Sequence, residues 1–100
     1  MDRLAALRQR IDEIDEQLVV LLNARAEQAL AIGRIKHAAG VAVYQPAREA
    51  DVLAHVRQVN AGPLDGSALT RLFERVIDEA RRLERLADTG RAIESGERGE

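Results

Sequence analysis

A chain of 100 residues with net charge −2 suits a single domain and carries no positive excess that would point to nucleic acid or an anionic membrane surface. It contains no cysteine, which excludes disulfides, a thiolate nucleophile and cysteine zinc sites. Tyr44 and Phe73 are its only aromatic residues, too few for a base-stacking platform, and His37 and His55 lie far apart without metal-ligand spacing. Neither a metal nor a cofactor is expected. No apolar run approaches the ~18 residues of a membrane span, and "MDRLAALRQRIDE" lacks a signal-peptide core, so a cytoplasmic protein is expected.

Alanine, leucine, arginine and glutamate dominate, which is helix composition. The first helix is predicted over residues 3 to about 38. Leu4, Leu7, Ile11, Ile14, Leu18 and Leu21 alternate in steps of three and four, and the same count resumes at Ile32 and Ile35. Gly33 lies inside this helix at a cost of about 1 kcal/mol against alanine, so close packing is its expected reason. "HAAGVAVY" ends the helix around Gly40, and Pro46 opens a second helix with the apolar stripe Val52, Leu53, Val56 and Val59. "NAGPLDGS" (60–67) is a turn cluster, with Asp65 or Ser67 able to cap a third helix running to about residue 87. Leu69, Leu72, Phe73, Val76, Ile77, Ala80 and Leu83 form the buried face of that helix. One domain, 1–88, is therefore expected, followed by a disordered polar tail over 89–100.

The first helix is too long for its neighbours. About 35 residues make a rod of ~50 Å, whereas a compact chain of this size has a radius of gyration near 13 Å. Two shorter helices cannot cover both ends of such a rod. An all-α, three-helix protomer in an intertwined antiparallel homodimer is expected.

Each helix also points a charged group inward. The apolar seam of the first helix lands on Arg25 and Gln28 where leucines would continue it. Glu49 heads the buried stripe of the second helix, and Glu84 follows Phe73 by eleven residues on the same face of the third. Burying a lone charge is costly, so these groups should meet each other or a ligand. Arg25 and Lys36 share a face within ~20°, separated by ~16 Å of rise, with Ala29 and Ile32 between them. A cation at each end of a small apolar floor suits a compact anion. Arg8 lies about 25 Å from Arg25 along the helix and ~100° round it, within reach of the same ligand only from the other chain of an antiparallel dimer. A single polar seam residue can equally fix register or oligomeric state, and buried Arg–Glu pairs occur without any ligand.

"LRQRIDEIDEQLVVLLNAR", "IGRIK", "YQPARE" and "NAGPLD", in this order, resemble the all-helical chorismate mutases over residues 4 to about 86. The resemblance implies an interlocked dimer whose sites each take one arginine from the partner chain. By that resemblance Arg8 is the cross-chain arginine gripping one substrate carboxylate and Arg25 holds the other. Lys36 would hydrogen-bond the ether oxygen and a carboxylate, Arg48 and Glu49 match the arginine–glutamate pair, and Glu49 would receive the ring hydroxyl. Glu84 takes the position of the second ether-oxygen donor. Gln45 stands where an aspartate is common, Ala80 where a serine can contact a carboxylate, and Glu84 where a glutamine is usual.

Chorismate to prephenate is an intramolecular [3,3] rearrangement that asks for conformational and electrostatic help, not for a nucleophile. Arg8, Arg25, Lys36 and Arg48 against ionised Glu49 and Glu84 leave a net +2, which matches a dianionic substrate. A carboxylate only accepts, so Glu84 can donate to the ether oxygen only when protonated. The nearest rival activity is an isochorismate-pyruvate lyase of the same fold; the "PARE" glutamate favours the mutase. A non-catalytic helical dimerisation module, or one domain of a larger aromatic-pathway enzyme, are the other readings.

Overall fold

Helix formers fill every stretch between the turn clusters, and the chain folds accordingly. The computed structural model describes the backbone of residues 2–97 and the side chains through residue 89. Three helices follow in order: α1 (Asp2–Ala39), α2 (Pro46–Val59) and α3 (Gly66–Glu97). No strand occurs among the described residues.

Glycine and short polar side chains set the boundaries. Gly40 adopts φ 70°, a left-handed conformation open to glycine without a Cβ penalty. Its N–H donates to the His37 carbonyl at 3.2 Å, and the Val41 N–H donates to the Lys36 carbonyl at 2.8 Å. These two bonds form a Schellman motif, which satisfies the last carbonyls of α1 and turns the chain back beside Lys36. Pro46 occupies the first turn of α2, where its missing N–H is harmless. Asp65 caps α3: its Oδ1 accepts the Ala68 N–H at 2.7 Å, so the cap falls on Asp65 and not on Ser67. In the preceding turn Asn60 donates from Nδ2 to the Leu64 carbonyl at 2.7 Å and accepts the Gly62 N–H at 3.0 Å.

The third helix is longer than the sequence reading allowed. It reaches Glu97, past the expected end near residue 87, with no proline to stop it and with helix-forming alanine, arginine and glutamate between Gly90 and Gly96. The rest of the expected polar tail, residues 98–100, lies outside the described residues.

α3 is the central element, and α1 and α2 each pack against it. Val56 of α2 and Ile77 of α3 are buried to 8% exposure. Gly33 is the buried residue of α1. A Cβ built there would stand 3.1 Å from Glu84 Cγ, so the glycine lets α3 bring Glu84 directly onto the α1 backbone. Arg57 ties α2 to α3 by donating from Nη1 to Thr70 Oγ1 at 3.2 Å.

The N-terminal half of α1 has no such cover. Leu4, Leu7, Ile11, Ile14, Leu18 and Leu21 are between 39% and 65% exposed. The chain measures 61 × 33 × 15 Å with a radius of gyration of 17.9 Å, against ~13 Å for a compact fold of this length. Its accessible surface is 7871 Å², whereas a compact monomer of this mass exposes about 5600 Å². Among the described residues no helix is long and apolar enough to cross a membrane.

Candidate active site

Where α1, α2 and the middle of α3 converge they enclose a cavity of about 510 Å³, large enough for a compact metabolite. Its floor is apolar: Ala29 and Ile32 from α1, Val41 and Val43 from the connection, Val52 from α2, Ile77 and Ala80 from α3. Its polar lining is Arg25, Gln28 and Lys36 from α1, Gln45 before α2, Arg48 and Glu49 on α2, and Arg81 and Glu84 on α3. Of the eight site residues named from the sequence, seven line this cavity. Arg8 does not; it sits exposed on the uncovered half of α1.

Lys36 and Glu84 form the buried end. The Lys36 ammonium donates to the Val43 carbonyl at 3.1 Å, a bond made possible by the Gly40 turn. Its Nζ lies 3.7 Å from Glu84 Oε2, close enough for attraction and too long for a hydrogen bond. The Glu84 side chain is only 8% exposed, and its Oε2 is buried without a hydrogen-bond partner. Unpaired buried oxygens are rare, because each loses its water without compensation. The orphan atom belongs to a residue that lines the cavity, so the carboxyl group stands where the cavity meets the buried end.

Arg25 and Arg48 line the cavity without an ion pair or hydrogen bond among the described residues. With Lys36 they surround the apolar floor by three cations, the arrangement that fits a small anion with more than one carboxylate. Glu49 is answered from α3: its Oε1 lies 3.6 Å from Arg81 Nη2. The sequence demanded a partner for Glu49 but missed Arg81. The signal was present, since Arg81 follows Ile77 by four and precedes Glu84 by three, which places all three on one helical face. Gln45 donates from Nε2 to the Ala42 carbonyl at 3.0 Å, bracing the connection that carries Val43. No group of three or more His, Asp or Glu side chains that could hold a metal ion occurs among the described residues.

Comparison with known proteins follows the same residues. The signature of the family described as chorismate mutase type II matches residues 7–85. A bifunctional chorismate mutase/prephenate dehydratase of Pseudomonas aeruginosa is 41% identical over 88 residues, 83% of this chain and 24% of its own length. The protein of the same name from Neisseria gonorrhoeae is 44% identical over 78 residues, 78% of this chain and 21% of its own. The chain thus spans about a quarter of these curated relatives. Among solved structures, chorismate mutase from Helicobacter pylori in complex with prephenate superposes with a TM-score of 0.83 at 32% identity, covering 89% of this chain and 97% of the other. Chorismate mutase (form II) from Thermus thermophilus gives 0.81 at 30% identity, covering 83% and 94%.

Proposed function

The chain belongs to the type II chorismate mutase family, and from that premise we propose that its cavity binds chorismate and converts it to prephenate. The observation that carries this reading is the orphaned Glu84 Oε2 beside Lys36, in a cavity where Arg25 and Arg48 have no partners among the described residues. Chorismate offers two carboxylates, an ether oxygen and a ring hydroxyl, and each has a complementary group here.

The reaction breaks one C–O bond and forms one C–C bond within a single molecule. What a protein can lower is the cost of folding the enolpyruvyl arm over the ring and of the negative charge that grows on the ether oxygen. Arg25 grips one carboxylate by its planar fork and holds the arm in the reactive geometry. Lys36 donates to the ether oxygen and to a carboxylate. Its bond to the Val43 carbonyl keeps the ammonium in place, so little reorganisation is needed as charge develops. Glu84, protonated, supplies the second donor from its buried position. Arg48 adds positive potential to the lining, and Glu49 accepts the ring hydroxyl. Gln45 and Ala80 line the wall, Gln45 as a neutral polar contact and Ala80 as space left without a hydroxyl. With Glu84 as the neutral donor, the cavity's four cations and the Glu49 carboxylate sum to +3, opposite in sign to the substrate dianion.

The second carboxylate grip is assigned to Arg8 of a second copy, in an intertwined antiparallel homodimer. The bare seam supports this reading. The chain exposes roughly 2,000 Å² more than a compact monomer would, the scale of surface that each protomer of an obligate dimer buries. The domain that does this work is residues 1–88. In the relatives named above, a segment of this kind is joined to a prephenate dehydratase, so an enzyme that consumes prephenate is the fitting partner, fused or separate.

The test is to mix the protein with chorismate and follow the loss of its ultraviolet absorbance while prephenate is identified as product. Turnover of chorismate establishes the activity. Release of pyruvate from isochorismate with no turnover of chorismate would assign the site to the lyase reaction instead.

A further inference from the structure

Arg81 is held from three elements at once. On α3 itself its Nη2 donates to Asp78 Oδ1 at 2.6 Å. The same nitrogen lies 3.6 Å from Glu49 Oε1 on α2. The guanidinium carbon sits 4.9 Å from the centre of the Tyr44 ring, in the connection between α1 and α2. An Asp–Arg pair one turn apart on an open helix face contributes little by itself. The stack on Tyr44 and the reach to Glu49 make Arg81 a tie between the connection, α2 and α3. Its side chain is only 20% exposed, while Asp78 on the solvent side is 56% exposed.

The geometry toward Glu49 is specific. At 3.6 Å the pair attracts by charge without being a hydrogen bond, so the lone pairs of the carboxylate stay available. A planar guanidinium already fixed by a stack and a short bond loses little freedom when it orients a neighbour. We propose that Arg81 is a positioning residue for hydroxyl recognition: it holds the Glu49 carboxylate in the acceptor orientation that receives the substrate's ring hydroxyl, with Tyr44 and Asp78 fixing Arg81 in turn. This inference rests on the chorismate reading and deepens it.

The experiment is a double-mutant cycle read by steady-state kinetics on chorismate, with helix content followed by circular dichroism. Arg81→Met lowers kcat/KM by about tenfold in the otherwise unmodified protein and by less than about twofold in a Glu49→Gln background, because the carboxylate it positions is already gone. Arg81→Lys, which keeps the charge and loses the fork and stack, recovers part of that loss. Tyr44→Leu, at a half-exposed position, gives a smaller loss that also disappears with Glu49→Gln, and it decides the matter if Arg81→Met loses helix. A purely structural Arg81 would lower activity equally in both backgrounds, and that result overturns the proposal, as does an unchanged kcat/KM for Arg81→Met. A protein that leaves chorismate untouched before any substitution sinks the activity reading itself; full activity with no coupling between positions 49 and 81 sinks only this inference.

Discussion

The two halves of α1 carry one heptad pattern and meet opposite fates. In the C-terminal half, Gly33 lets α3 approach until Glu84 touches the backbone of α1, and Lys36 is anchored on the chain that the Gly40 turn sends back. In the N-terminal half, six seam residues from Leu4 to Leu21 stand open on a helix that nothing described in the same chain covers. The seam of the bare half is apolar throughout, whereas the half that packs on α3 carries a partly buried Arg25 and Lys36 beside Ile32 and Ile35, which stay 51% and 70% exposed. Partly buried cations beside exposed leucines and isoleucines are the reverse of what burial alone selects. The pattern makes sense if the exposed apolar residues are covered by another copy and the cations face a polar ligand.

The largest expected effect comes from breaking the bare half. Leu7→Glu with Ile14→Glu places two carboxylates in the seam, where burial without partners is strongly unfavourable. The paired change should abolish activity and convert the sedimenting species to a poorly helical chain of 11.0 kDa. A well-folded, fully active double variant would show that the seam is not an interface. Next comes the packed half. Arg25→Ala should lower kcat/KM on chorismate by on the order of 10³, with helix content retained, if Arg25 is the carboxylate grip proposed above.

Smaller effects sharpen the comparison inside the packed half. Gly33→Ala adds a methyl group 3.1 Å from Glu84 Cγ, and Glu84 is too enclosed to step aside freely. The alanine gains about 1 kcal/mol of helix propensity, so thermal stability should change little while kcat falls about tenfold through displacement of the donor. Unchanged kcat would mean that the position of Glu84 is not critical. The smallest effect near neutrality belongs to Glu84→Gln. Glutamine has nearly the same shape and donates at every pH, whereas the glutamate donates only while protonated. The glutamine variant should therefore keep substantial activity while Glu84→Ala, with no donor at all, loses most of it. Equal rates for the glutamine and alanine variants would remove position 84 from the donor role.

Much of this was readable before any coordinates. Step counting carried the long seam, the inward placement of Arg25, Glu49 and Glu84, and the joint face of Arg25 and Lys36, because helical periodicity is a geometric constant. Gly40 and Pro46 marked the turn between α1 and α2 by the same local logic. Arg81 escaped because its use depends on which elements meet. Beside Asp78 three residues earlier, it reads as an ordinary surface pair, and only the arrival of α2 and Tyr44 makes it a cavity residue. The extent of α3 escaped for a related reason: Gly90 and Gly96 weaken a helix without stopping it.

The central claim is that the site is shared, with Arg8 of one chain completing the cavity of another, and one measurement addresses it directly. Arg8→Ala and Arg25→Ala, each nearly inactive alone, are mixed, unfolded together and refolded so that subunits exchange. Each mixed dimer then contains one cavity with both arginines and one with neither, so about a quarter of all sites become intact for a two-fold symmetric dimer. The account predicts recovery of about that fraction of the unmodified activity. No recovery, once exchange has been demonstrated with a tagged subunit, would contradict the cross-chain assignment of Arg8.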